Sequence, residues 1–76
     1  MKMISSFVKN DNIRVIRLNT SAQRRHIYEA FGIFEGANIR IFFKNKKGII
    51  LKIGETKLAL SFAAANEILG EKDFSR

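Results

Sequence analysis

Residues 31 to 39, FGIFEGANI, mark the point at which this chain is expected to change from helix to strand. Two glycines, Gly32 and Gly36, stand four positions apart with apolar residues between them. A helix-like segment precedes the stretch and an alternating, strand-like segment follows it. Gly32 stands where a helix needs a left-handed residue to end. We call this stretch the glycine corner. Its glycines are expected to have a conformational role, because the helix ends and the strand begins within a few residues.

The residues at the start of the chain predict a strand and a turn. IRVIRL, residues 13 to 18, is rich in β-branched residues. Its alternation slips between Val15 and Ile16, which predicts a β-bulge. Asn and Asp tolerate left-handed backbone, so NDN at 10 to 12 predicts a turn. The apolar residues within 4 to 7 are expected to cover the barrel mouth or to begin a strand.

The pattern TSAQ, residues 20 to 23, predicts the start of a helix. It fits a capping box in which Thr20 accepts a hydrogen bond from the amide of Gln23. The helix is expected to reach about Phe31. Ile27 and Phe31, spaced i, i+4, are expected to form its inward apolar stripe.

Alternation beyond the glycine corner predicts three strands in a meander. KNKKG, residues 44 to 48, turns the chain between the first two, and GE at 54 and 55 fits a two-residue hairpin turn. A short helix over residues 62 to 69 is expected next, capped by Ser61 and ended by Gly70. The side chains expected to point inward are Ile39, Ile41, Phe43, Ile49, Leu51, Ile53, Leu58 and Leu60.

This order of elements predicts a fold that is mainly β with short helices. Short antiparallel strands with one apolar face each bury that face and hide their edges when the sheet curls. We therefore expect a small SH3-like antiparallel β-barrel with an inserted helix after the first strand and a short C-terminal helix. A chain of 76 residues predicts a single domain, with a core at about 4 to 70 and a frayed tail at 71 to 76.

Composition narrows the functional classes. There are 14 Lys plus Arg residues against 7 Asp plus Glu, which gives a net charge of +7 and favours polyanions and anionic membrane surfaces. With no cysteine and a single histidine, His26, a Cys/His zinc site is excluded. No apolar run is long enough for a signal peptide or a membrane span. We expect a cytoplasmic protein.

Two segments together resemble the FeoA family, the small SH3-like cytoplasmic proteins of bacterial ferrous-iron transport. They are RRHIYEAFGIFEGANIRI and, after a basic hairpin, GIILKIGETKLALSFAAANEILG. The resemblance spans roughly residues 4 to 70. Glu35 stands where that family usually has proline, and Asn10 where it usually has glycine. The matching positions are Arg25, Phe31, Gly32, Ile33, Gly36, Ile39, Leu58, Ala59 and Leu60.

The resemblance implies a non-catalytic adaptor that contacts the cytoplasmic part of the FeoB-type membrane transporter, a GTP-hydrolysing protein, and modulates iron uptake. We expect Tyr28 to be partly exposed and Phe34 to pack in the core or to stand exposed as a contact. The expected contact surface is a helix face together with Phe34, and a basic hairpin is its secondary part. The helix-face residues are Arg25, His26, Tyr28 and Glu29, and the basic hairpin is Lys44, Lys46 and Lys47.

Chemistry at a metal or catalytic site is not expected. His26 and Glu29 have an i, i+3 spacing that can present two ligands, but a ferrous site typically needs two histidines and a carboxylate. We therefore expect no iron binding of useful affinity and no cofactor. No serine or threonine has the sequence context of an activated nucleophile, and the glycine corner lacks the Lys-Ser/Thr of a phosphate-binding loop. The sequence indicates a non-enzyme.

Three alternatives remain open at this stage. Small basic barrels can bind RNA or single-stranded DNA through lysines beside stacking aromatics, but alternation should send only one of Phe42 and Phe43 outward. The lysines of the hairpin can also deter edge pairing or attract an anionic inner leaflet. A homodimer that buries one barrel face is the third.

Overall fold

A computed structural model of the chain describes residues 1 to 74. It contains six strands, two short α-helices and one 3₁₀ turn at Ile4–Ser6. The strands are β1 Lys2–Met3, β2 Asn12–Leu18, β3 Asn38–Asn45, β4 Gly48–Ile53, β5 Thr56–Leu60 and β6 Ile68–Lys72, and the helices are α1 Ala22–Ala30 and α2 Phe62–Ala65.

All six strands belong to one antiparallel sheet in the order β1-β6-β2-β3-β4-β5. The sheet is SH3-like and mainly β, as the sequence predicts, but it is open: β1 and β5 are its two edges. One face of the curled sheet encloses the apolar core. The fully buried members of that core come from the 3₁₀ turn, from four of the strands, from the glycine corner and from α2: Ile4, Ile13, Val15, Ile33, Ile41, Leu51, Ala65 and Ile68.

The C-terminal region differs from the prediction. Residues 62 to 69 do not form one helix, because α2 ends at Ala65 and β6 begins at Ile68. The tail is not frayed throughout either: β6 continues to Lys72, whereas residues 75 and 76 lie outside the described part of the chain. Gly70 does not end a helix. A Cβ there would lie 2.5 Å from a methyl carbon of Ile13, so glycine lets β6 approach β2 closely.

The glycine corner ends α1 in a Schellman motif. The amide of Gly32 donates to the carbonyl of Glu29 at 3.0 Å, and the amide of Ile33 donates to that of Tyr28 at 2.9 Å. Gly32 has φ +91° and Gly36 has φ +94°, so both use backbone that L side chains rarely adopt. The predicted change from helix to strand is confirmed.

The predicted start of the helix and its predicted inward stripe need correction. Ser21, one residue later than predicted, is the N-cap of α1, and its hydroxyl accepts from the amide of Arg24. The expected inward stripe is wrong: the exposed fractions of Ile27 and Phe31 are 54% and 44%, whereas Tyr28 is only 4% exposed. The helix is therefore rotated so that Tyr28 packs inward, and Tyr28 is not the partly exposed residue that the sequence indicated.

Two bulges change the phase of the sheet. The predicted one is confirmed in β2, where the register with β6 shifts between Val15 and Arg17. A second, unpredicted one lies in β3, where the register with β4 shifts between Ile41 and Phe43. Phe43 was expected to point inward, but it is 42% exposed because the extra residue reverses the alternation.

Candidate interaction surfaces

Tyr28 joins α1 to the turn between α2 and β6. Its hydroxyl donates to Oε1 of Glu67 at 2.7 Å, and it accepts from the Arg24 guanidinium at 3.1 Å. Arg24 also pairs with the same carboxylate, at 2.8 Å. These contacts form a closed cluster of three side chains, so Tyr28 holds the fold together and offers no free surface to a partner.

The cluster shifts the acid–base behaviour of its members. The hydrogen bond from Tyr28 lowers the pKa of Glu67, and Arg24 acts in the same direction. Burial raises the pKa of Tyr28, and its hydrogen bond to Glu67 adds to that shift. The carboxylate is thus held ionised and the phenol neutral.

Arg25 connects α1 to the end of β2 and to the glycine corner. Its guanidinium donates to the carbonyl of Leu18 at 3.0 Å, at the end of β2. It also lies 3.7 Å from a carboxylate oxygen of Glu35 in the glycine corner. Glu35 stands where the FeoA pattern has proline, and this ion pair supplies a different link between the corner and the helix.

The exposed side of α1 is apolar at its centre. Ile27 and Phe31 are i, i+4 neighbours on the helix surface, and Phe34 follows in the glycine corner with 48% of its surface exposed. Phe34 is therefore exposed and does not pack in the core. His26 and Glu29 lie beside this group and approach each other to 3.6 Å. We call Ile27, Phe31 and Phe34 the α1 face.

Sequence reasoning found only part of this surface. It selected His26, Glu29 and Phe34, which are exposed, but assigned Ile27 and Phe31 to the core. The spacing of an apolar pair identifies a helix face without saying which way that face points. The i, i+4 spacing of Arg24 and Tyr28 is the signal that could have placed Tyr28 in a polar cluster.

The basic hairpin divides into two parts. Lys46 and Lys47 form the two-residue turn between β3 and β4 and are exposed. Lys44 lies within β3, and its ammonium donates to the carbonyls of Ser5 and Phe7 at 2.6 and 2.9 Å. Lys44 therefore anchors the 3₁₀ turn and is not part of a solvated charge cluster.

The described residues contain neither a cluster of metal ligands nor a membrane-spanning helix. Among residues 1 to 74, no three His, Cys, Asp or Glu side chains lie together so as to hold a metal ion. In the same part of the chain, no helix is long and apolar enough to cross a membrane.

Comparisons by sequence find no relative. No protein-family model matches the chain, and no curated protein matches it significantly.

Comparison by structure finds several similar proteins. An iron uptake regulatory protein, FeoA, is 21% identical with a TM-score of 0.85, and the match covers 92% of this chain and 95% of that one. Iron(II) transport protein A from Clostridium thermocellum is 27% identical with a TM-score of 0.83, over 95% of this chain and 45% of that one. A longer protein, the manganese regulator SloR, is 15% identical with a TM-score of 0.81, over 95% of this chain and 34% of that one.

By these similarities the chain is a small SH3-like domain, of a kind that makes up nearly all of some proteins and about a third of others. The resemblance to the FeoA family is confirmed, since FeoA and FeoA-like proteins from Clostridium acetobutylicum and Chlorobium tepidum share the fold as well.

Proposed function

We propose that this chain is a non-catalytic adaptor of ferrous-iron uptake, which binds the cytoplasmic part of an FeoB-type transporter through the α1 face. The fold it shares with an iron uptake regulatory protein supports the role in iron transport. The observation that carries the proposal is the α1 face: three large apolar side chains are exposed, two on α1 and one in the adjoining glycine corner. Such a group, bordered by polar residues, is typical of a protein contact.

The structure changes the composition of the proposed contact. Tyr28 and Arg25 support the surface from within, because both are committed to contacts inside the fold. Phe34 remains part of it, Ile27 and Phe31 of α1 are added, and His26 and Glu29 lie on the same helix as that pair. Aromatic and large aliphatic residues in a contact commonly dominate binding energy.

A non-catalytic role fits the surroundings of the single histidine. His26 is 80% exposed at its side chain and pairs with Glu29. Within residues 1 to 74 it makes no hydrogen bond to a serine or threonine hydroxyl that it could activate. In this proposal the adaptor acts by contact, and the transporter carries the iron.

The experiment is an amide NMR titration of the labelled chain with the cytoplasmic portion of the transporter, at low and moderate salt. We expect shifts on α1 and the glycine corner that persist at moderate salt, since apolar contacts are little screened. Phe31→Gln and Phe34→Gln should each weaken binding by about tenfold or more. Val8→Gln is the control, because Val8 is also an exposed apolar residue but lies outside α1 and the glycine corner.

Two results would count against this proposal. If folded Phe31→Gln and Phe34→Gln variants bind as the wild type does, the α1 face is not the contact. If the free chain sediments as a dimer and the same variants turn it into a monomer, the α1 face serves self-association instead.

A further inference from the structure

A second surface lies on the sheet side opposite the core, across β3, β4 and β5. Arg40, Lys52 and Lys57 are consecutive cross-strand partners there. Their chain neighbours Ile41 and Leu51 are fully buried, so by strand alternation the three cations point away from the core. Three positive charges thus form one row across three adjacent strands.

No ion pair to this row is formed among the described residues. The ion pairs within residues 1 to 74 join carboxylates to Arg14, Arg24, Arg25, His26 and Lys72, and none of them involves Arg40, Lys52 or Lys57. Like charges directly opposite one another destabilise a sheet. The row therefore carries a repulsion within the sheet, which an anionic ligand would offset.

Two phenylalanine rings accompany the row because of the bulge in β3. Nζ of Lys57 lies 4.1 Å from the ring centroid of Phe42, which places that ring on the outer side. Phe43 pairs with outward-facing Ile50 and borders a recess of about 400 Å³. Alternation alone would have turned one ring inward. We call Arg40, Phe42, Phe43, Ile50, Lys52, Lys57 and Ala59 the outer sheet face.

We propose that the outer sheet face binds single-stranded nucleic acid. The cation row neutralises phosphates, and the adjacent rings stack with unpaired bases. A duplex keeps its bases stacked on each other and leaves the rings without a partner. A second recess of about 240 Å³, beside Arg40 and Lys52, lies across β2, β3 and β4. A flexible strand can follow two such recesses, whereas a flat lipid surface cannot.

This surface is distinct from the α1 face and is independent of the proposed transporter contact. The two lie on different elements, α1 with the glycine corner in one case and β3 to β5 in the other. Each can be altered without touching the other.

The test is fluorescence anisotropy of a labelled single-stranded RNA of about ten nucleotides, within the usual site size of small barrels. A salt series should give a slope of log K against log salt of about −2, as expected for three neutralised phosphates on a single strand. Inorganic polyphosphate, which has charge but no bases, should compete poorly at equal charge.

Variants separate this surface from the general charge of the chain. Lys52→Gln/Lys57→Gln should weaken RNA binding about tenfold, whereas Lys46→Gln/Lys47→Gln removes the same charge at the hairpin tip and should change it far less. Phe43→Leu, which keeps the charge, should weaken it about fivefold or more through lost stacking. Amide spectra confirm that each variant is folded.

Three results overturn the proposal. Equal losses in the two lysine pairs would show that only net charge matters. If polyphosphate binds as tightly as RNA and Phe43→Leu does not change RNA affinity, the surface binds anions without recognising bases. Binding to phosphatidylserine vesicles through Lys52 and Lys57, without binding to RNA, would assign the surface to a membrane.

Discussion

The hydroxyl of Tyr28 and the carboxylate of Glu67 are 2.7 Å apart, although the two residues are separated by 39 positions in the chain. This contact crosses from α1 to the turn that leads into β6, and it belongs to the side of α1 that meets the core. The burial of Tyr28 leaves Ile27 and Phe31 on the outside. The rotation of the helix that buries Tyr28 thus displays the apolar pair.

Removing the Tyr28 hydroxyl should destabilise the fold. Tyr28→Phe keeps the ring in place and removes the hydrogen bond to Glu67, whose partly exposed carboxylate regains water. We expect a loss of about 1 kcal/mol in the free energy of unfolding, measured by urea denaturation. His26→Gln, on the exposed side of the same helix, should change it by less than about 0.5 kcal/mol. Equal midpoints for both variants would contradict the role of the contact.

Acid should weaken the fold through Glu67. Because the pKa of Glu67 is lower in the folded than in the unfolded chain, the unfolded chain binds more protons as the pH falls. The stabilisation is complete above the ordinary glutamate pKa of about 4.3 and is lost as the pH falls through the lowered folded value. Glu67→Gln should flatten this part of a stability–pH profile. An unchanged acid slope in the variant would assign the dependence to other carboxylates, such as Asp11, whose pKa is also lowered.

Alanine at the two corner glycines should have unequal costs. Both have positive φ, so each substitution costs about 1–2 kcal/mol in backbone strain. A Cβ at Gly32 would also meet a methyl carbon of Ile53 at 3.0 Å, whereas a Cβ at Gly36 meets nothing within 4 Å. Gly32→Ala should therefore unfold at lower temperature than Gly36→Ala. Calorimetry measures both, and the reverse order would show that the Ile53 contact relaxes freely.

Lys44 and Lys46 should respond differently to loss of charge. Lys44→Met keeps the side-chain length but removes the donors to two carbonyls of the 3₁₀ segment, and we expect a loss of about 1–2 kcal/mol. Lys46→Met, at the exposed turn, should stay within about 0.5 kcal/mol of wild type. Chemical denaturation compares them. A Lys44→Met protein as stable as wild type would mean that water satisfies both carbonyls.

The sequence predicts most where local chemistry sets the backbone. Gly32 ends α1, the Gly54-Glu55 turn joins β4 to β5, and the slip after Val15 becomes a bulge. Each of these depends on residue types within a few positions. The antiparallel SH3-like fold follows from them, because short one-faced strands have few other ways to bury their apolar sides.

Long-range contacts explain what the sequence did not show. The rotation of α1 depends on Glu67, and the strand at Ile68–Lys72 depends on pairing with β2, so neither is visible in its own segment. The bulge at Phe42 has no local marker such as glycine. That one unpredicted residue moves a second ring to the outer sheet face.

Lys2 and Gly70 are paired across β1 and β6, so the first and last strands of the chain are neighbours at one edge of the sheet. A linker that enters the domain at β1 and a linker that leaves it at β6 can therefore attach to a host protein at nearby positions. Such a unit can be transplanted into a loop of another protein, or circularly permuted by a short bridge, without stretching the host or the linker. A bulky tag at the β1–β6 edge would crowd these points of attachment. A circular permutant with new ends at the exposed Gly54-Glu55 turn would allow a tag to be placed away from them.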